Sequence, residues 1–280
     1  MLGKLLKYDS KSLSKLIFPI SLAAILATAL GCGLIAFMNA MAARSVNTNV
    51  IDVVLSMTCG MMIFFCVMAL IAFGIAVQIV LIQRYYTSFF TDEGYLTFTL
   101  PVSTHSLLIS KTISAVLFSL YACVIEFICI VAYILTIVYC NEGLAALGQI
   151  PKQILEMISS QYGIDYIAMF VTYCVLFFAA QAVSVMIIYL SFTIGSVIAT
   201  KHRVLAGVGI YLLIITIMST VQSVVSSVVM FVFGAQSDYL YMTGSWLMIT
   251  LWISISIMLV IGAVCYFVTH YLLKNKLNLS

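Results

Sequence analysis

The sequence predicts an all-α integral membrane protein with six transmembrane helices, and three observations carry that prediction. Hydrophobic residues make up 64% of the 280-residue chain and charged residues only 8%, against about 25% charged in an ordinary soluble domain. A water-soluble fold of this length could not hide so much apolar surface, so lipid is the solvent. Six apolar runs reach the about 20 residues that a bilayer crossing needs. They cover 17–42, 53–83, 107–139, 166–199, 204–233 and 245–272. Only three prolines interrupt the chain, and no series of alternating segments of about ten residues suggests a barrel. No long polar linker separates the runs, so residues 1–280 are expected to form a single transmembrane domain.

The chain begins with "MLGKLLKYDSKSLSK". At 100° per residue Lys4, Lys7, Lys11 and Lys15 share one face, and Leu2, Leu5, Leu6, Leu13 and Leu16 lie opposite. Residues 1–16 therefore predict an amphipathic helix lying in the membrane interface. Asp9 falls on the apolar side of that helix and is expected either to break it or to cap a new turn. The run that follows is about 26 residues, too long for the 7–15-residue core of a signal peptide, so it is read as an uncleaved first span.

Charge fixes the orientation. With both termini inside, Lys4, Lys7, Lys11, Lys15, Arg84, Lys111, Lys201, Arg203, Lys274 and Lys276 are cytoplasmic, and only Arg44 and Lys152 lie outside. That split follows the positive-inside rule. The outer segment after the third span contains "IPKQILEMISSQ". Pro151 suits a first helical turn, and Ile154, Leu155 and Ile158 then share one face. A short outer helix over about 151–161 is expected.

The fifth run, as one helix, would exceed about 45 Å at 1.5 Å per residue. The hydrocarbon core is only about 30 Å thick. Polar Ser219–Ser223, Ser226 and Ser227 interrupt its second half. The expectation is a span over 204–221, then a re-entrant segment through about Thr243, before the sixth span.

Between spans two and three lies "FFTDEGYLTFTLPVSTH", Phe89 to His105. Arg84 and Lys111 place this loop, about 88–104, in the cytoplasm. Ser103 is the expected N-cap of the third span. Thr91 can cap a short helix, with Asp92 and Glu93 favourably placed against its dipole. Alternation of Leu96, Phe98 and Leu100 with Thr97 and Thr99 reads instead as a strand, but a lone strand would leave unpaired edges. A helix is the preferred reading. Tyr95 and Phe98 beside two acids have the composition of a protein-binding knob, or of an interfacial loop whose aromatics dip into headgroups.

"RYYTSFFTDEGYLTFTLPVSTHSLLISK" resembles the intracellular loop between spans two and three of bacterial permeases in the type-2 ATP-binding-cassette (ABC) exporter family. The resemblance implies six spans, cytoplasmic termini in the bacterial inner membrane, an N-terminal interfacial helix, a coupling helix in this loop, and a re-entrant element before the last span. It implies that Asp92, Glu93, Gly94, Tyr95, Leu96 and Phe98 lie in or beside the segment that docks on an ATPase subunit. The chain carries no G-x-x-x-x-G-K-[ST] phosphate loop. ATP and Mg would therefore be bound by a separate ATP-binding subunit, and this chain would hold no cofactor and not be an enzyme. A second permease, a copy or a relative, would complete the translocation path within the lipid bilayer. No nucleic-acid partner is expected. The substrate class implied is an amphipathic peptide or a lipophilic compound. Many relatives carry a larger outer element between spans five and six; here the conspicuous outer element follows span three.

Inside the membrane, Glu126 sits near the middle of the third span. An intramembrane carboxyl is a functional candidate. It is either a substrate or proton site on the translocation path, or a protonated acid hydrogen-bonded to a neighbouring helix through Gln78, Gln181 or Gln222. Ser119, Cys123, Cys129 and Tyr133 share its helical face. The proton-site reading would make the protein a proton-coupled secondary transporter or a channel; a third class is a non-transporting membrane scaffold or sensor. The eight cysteines form no C-x-x-C or Cys/His cluster, so they are read as small packing residues and no metal site is expected. His105, His202 and His270 fall in three separate segments near cytoplasmic ends, and no nucleophile motif supports catalysis.

Overall fold

The computed structural model describes residues 2–44, 50–91, 94, 103–143, 149, 166–199, 202–234 and 244–275. Nearly all of these are helical, with no strand among the described residues. The elements are α1 (Leu2–Arg44), α2 (Val50–Phe90), α3 (Thr104–Glu142), α4 (Tyr166–Ile198), α5 (Arg203–Gly234) and α6 (Gly244–Asn275). Each of the six is long and apolar enough to cross a bilayer. The chain is a multi-pass helical membrane protein.

Three boundaries differ from those the sequence suggests, at α1, α5 and α2. The amphipathic N-terminus and the first span form one helix, α1, which runs through Pro19. Asp9 neither breaks it nor caps a new turn: the carboxylate is buried and ion-paired, and Leu13 and Ile17 are buried on the next two turns. Tertiary contacts thus hold the helix across a proline that would weaken it in isolation. Likewise α5 does not end at 221 but continues to Gly234. Its hydroxyls satisfy themselves on the helix: Ser219 donates to the Thr216 carbonyl (3.0 Å), and Ser226 and Ser227 both donate to that of Ser223 (2.9 and 2.8 Å). Back-bonding of this kind lets serine persist in an apolar helix. A re-entrant turn would fall on 235–243, outside the described residues, as does the outer segment 151–161.

The helix ends follow local chemistry. Ser103 caps α3 as expected, its Oγ accepting the Ser106 N–H at 3.3 Å. Gly143 ends that helix with φ +80, its N–H bonded to the Tyr139 carbonyl; a left-handed residue there favours glycine. Helix α2 runs seven residues past the expected end of its span, because Tyr85, Ser88 and Phe89 in that extension are buried.

The chain divides into two compact units. One contains 1–9, 82–116 and 155–280; the other contains 10–81 and 117–154. In the first, α4 packs against both α5 and α6 around Val183, Ile187, Leu190 and Cys265. Helix α4 is buried almost all round from Val183 to Thr193, which explains why its sequence is apolar on every face. Gly195 and Gly207 permit a close approach of α4 and α5: a Cβ on Gly195 would lie 2.6 Å from the Gly207 Cα. In the second unit α1 and α3 run parallel. Ser21 bonds Tyr121 (3.0 Å), Tyr133 covers Gly31, and the Asn39 amide donates to the Cys140 carbonyl.

Candidate functional site

The first unit contains a buried polar cluster built from four helices. Asp9 of α1 is 5% exposed and Lys111, in the second turn of α3, is 9% exposed. The Lys111 ammonium donates to the Asp9 carboxylate and, at 3.0 Å, to Ser88 of α2. Arg84, one turn earlier on α2, places Nη2 3.6 Å from the same Asp9 oxygen. The Tyr189 hydroxyl of α4 donates to the Lys111 backbone carbonyl at 3.3 Å. Its ring stacks on Tyr85 of α2 at 3.8 Å and 9°, and the Tyr85 hydroxyl meets Thr193 at 2.7 Å.

Two cations face one carboxylate here. Charges this far from water are tolerated because each finds an opposite charge or a hydrogen bond, and removing one partner strands the others. The stacked tyrosines close the cluster on the α4 side, and both are buried. The result is a buried, cross-bonded node at the ends of α2 and α3 that bound the loop 91–103.

Of the loop residues predicted to matter, Asp92, Glu93, Tyr95, Leu96 and Phe98 lie outside the described residues. Gly94 is described. It is helical and buried, its N–H bonds the Thr91 carbonyl at 2.7 Å, and a Cβ there would lie 2.7 Å from the Phe89 carbonyl oxygen. Only glycine fits that approach. The Thr91 hydroxyl does not point forward as a cap; it donates back to the Thr87 carbonyl at 2.5 Å and so completes the last turn of α2.

The three intramembrane candidates are distributed over both units. Gln222 of α5 donates to Ser254 of α6 at 2.6 Å. Gln181 is half-buried on α4. Both belong to the first unit, whereas Glu126 belongs to the second, where its carboxyl rests on Gly74 of α2. Gln78, one turn further along α2, has its side-chain oxygen buried without a hydrogen-bond partner.

Sequence reasoning missed two groupings. Asp9 reads in sequence as a flaw in an amphipathic helix, and its partners are distant in the chain. The signal was a single acid on an apolar face. His105 and His270, assigned to separate segments, lie with ring centroids 5.6 Å apart, and the Tyr266 hydroxyl bonds His105 Nδ1. His202 lies at the start of α5, where its carbonyl accepts the Ala206 N–H at 3.0 Å. Among the described residues no group of His, Cys, Asp and Glu has metal-binding geometry. The chain matches no protein-family model, no curated protein and no solved structure.

Proposed function

We propose that this chain is the permease subunit of an ATP-driven exporter of the type-2 ABC class, moved by a separate ATPase that grips the loop between α2 and α3. The observation that carries the reading is the polar node. A lever works only if its ends are fixed to the parts it moves. Ser88 and Arg84 at the end of α2, and Lys111 at the start of α3, are tied to Asp9 of α1 and to Tyr189 of α4. Force reaching the ends of α2 and α3 would act on four helices tied at one cluster. The likeness of "FFTDEGYLTFTLPVSTH" to a coupling segment supports the same reading, as does the six-helix plan.

On this account Tyr95 and Phe98 fill an apolar groove on the ATPase, while Asp92 and Glu93 meet basic residues at its rim. Aromatic anchors supply affinity at such interfaces, and rim charges set orientation and encounter rate. ATP and Mg stay on the partner. Two permeases, identical or related, enclose the path, and the cargo is an amphipathic peptide or lipophilic compound. The test is affinity purification of the tagged chain from its native membrane in mild detergent. A stoichiometric P-loop ATPase in the eluate is expected. A chain that transports after purification to homogeneity, driven by a proton gradient alone, would overturn the reading.

A further inference from the structure

Between the last two turns of α1 and the first three of α2 lies a cavity of about 220 Å³. Phe37, Met38 and Met41 line it from α1, and Asp52, Ser56 and Cys59 from α2. All six belong to the second unit. The spacing builds the walls. Met38 and Met41 are three residues apart, and Asp52, Ser56 and Cys59 fall at i, i+4 and i+7, so each set shares one helix face. Cys59 is 6% exposed. Asp52 is half-buried and stands two turns nearer the helix end, about 10 Å along the axis at 1.5 Å per residue. It lies in the first turn of α2, where the helix dipole suits a negative charge. Among the described residues no hydrogen bond or ion pair engages its carboxylate. The Ser56 hydroxyl, one turn on, donates to the Val53 carbonyl at 2.8 Å. Apart from these two side chains the lining is thioether, thiol, aromatic and aliphatic.

We propose that this cavity binds a small aromatic ammonium ion, its charged head on Asp52 and its ring among Phe37, Met38 and Met41, over Cys59. Apolar walls with one or two placed polar groups are the pattern of small-molecule sites. A cavity of about 150 Å³ already admits benzene, so a single ring on a short tether fits the larger space here. Thioether sulfurs and a phenyl ring favour an aromatic occupant. The carboxylate selects the head: an ammonium forms a charge-assisted hydrogen bond with it, stronger than a neutral donor could make, and an anion is repelled. The inference deepens the exporter reading, on which it rests only for its role. The cavity lies at the opposite end of α2 from the loop the ATPase would grip, where cargo would leave.

Cys59 is a free thiol in the cavity wall and so reports occupancy. The purified full chain, without any ATPase, is placed in nanodiscs of lipids that carry no primary amine. It is treated with N-ethylmaleimide, and modification of each cysteine is followed by peptide mass spectrometry. Phenethylammonium should slow modification of Cys59 saturably. It should leave unchanged that of Cys66, which is on the same helix but does not line the cavity. 2-Phenylethanol, of the same shape without the charge, should need about tenfold more, the loss expected for a hydrogen bond to a charged group. Asp52→Asn should raise the half-protecting concentration of phenethylammonium about tenfold and leave that of 2-phenylethanol as it was. A Cys59 that never reacts in the folded chain would overturn the proposal, since the cavity would be closed to molecules of this size. So would equal protection by amine and alcohol, equal slowing at Cys66, or an unchanged half-protecting concentration in Asp52→Asn. Protection without ATPase co-purification would keep the site and remove the exporter reading; co-purification without protection would do the reverse.

Discussion

Replacing Asp9 should destabilise the protein far more than replacing Asp9 and Lys111 together. The Arg84–Asp9 separation is 3.6 Å and Lys111 is in direct contact. At an effective dielectric near 20, the longer pair alone has a gross attraction of about 4–5 kcal/mol. Burying each ion costs several kcal/mol, so the intact cluster is close to neutral against a well-packed apolar replacement. Asp9→Leu removes the attraction and leaves the Lys111 ammonium buried without its carboxylate, a loss of about 3–5 kcal/mol. Lys111→Met in the Asp9→Leu background removes the stranded charge at similar volume, while Arg84, with 28% of its side chain exposed, turns toward water. The double variant should therefore recover most of the loss. The assay is a double-mutant cycle on reversible unfolding of the purified chain in bicelles. If the double variant loses the sum of the two single losses, the node is not a coupled ionic cluster and the mechanical argument built on it fails.

Other consequences follow from the same packing. Gly195→Leu should abolish folding and membrane accumulation, because backbone atoms of α5 occupy the space; Gly209→Leu, where nothing lies within 4 Å, should express normally. Tyr85→Phe should lower stability by about 1 kcal/mol through loss of the Thr193 bond, and Thr193→Val in addition should cost little more. Single cysteines at positions 152 and 238 in a cysteine-free background should react with an impermeant thiol reagent from outside intact cells, whereas those at 92 and 201 should not. Labelling of position 92 from outside would remove the loop from the ATPase's side of the membrane.

The spans were legible because about 20 apolar residues in a row have few alternatives to crossing a bilayer. All six apolar runs became helices within a few residues of the expected bounds, the extensions of α1, α2 and α5 apart. The α3 cap was legible too, since Ser103 needs only its own hydroxyl and the next turn. What sequence hid was every feature that depends on pairs far apart. Asp9 and Lys111 are 102 residues apart, and Lys111 and Ser88 are 23 apart; no local period links them. The α5 polar run was misjudged because serine hydroxyls were weighed as breaks, when they return their bonds to the helix that carries them. Glu126 was singled out from its position alone. That it rests on Gly74, one turn from Gln78, required the register of α2 against α3.

The central claim is that the loop between α2 and α3 grips an ATPase. The most direct measurement is substrate-stimulated ATP hydrolysis by the co-purified complex in nanodiscs, for the wild type, Tyr95→Ala, and Asp92→Lys with Glu93→Lys. None of these changes touches a transmembrane segment, so the permease itself should remain folded. Tyr95→Ala should weaken assembly by about 2 kcal/mol or more if the ring is an anchor, and the charge-reversed variant should repel the basic rim and lose the ATPase. Both should show hydrolysis uncoupled from substrate. Full retention of the ATPase and of stimulation in both variants would contradict the account and leave the loop as a turn at the membrane surface.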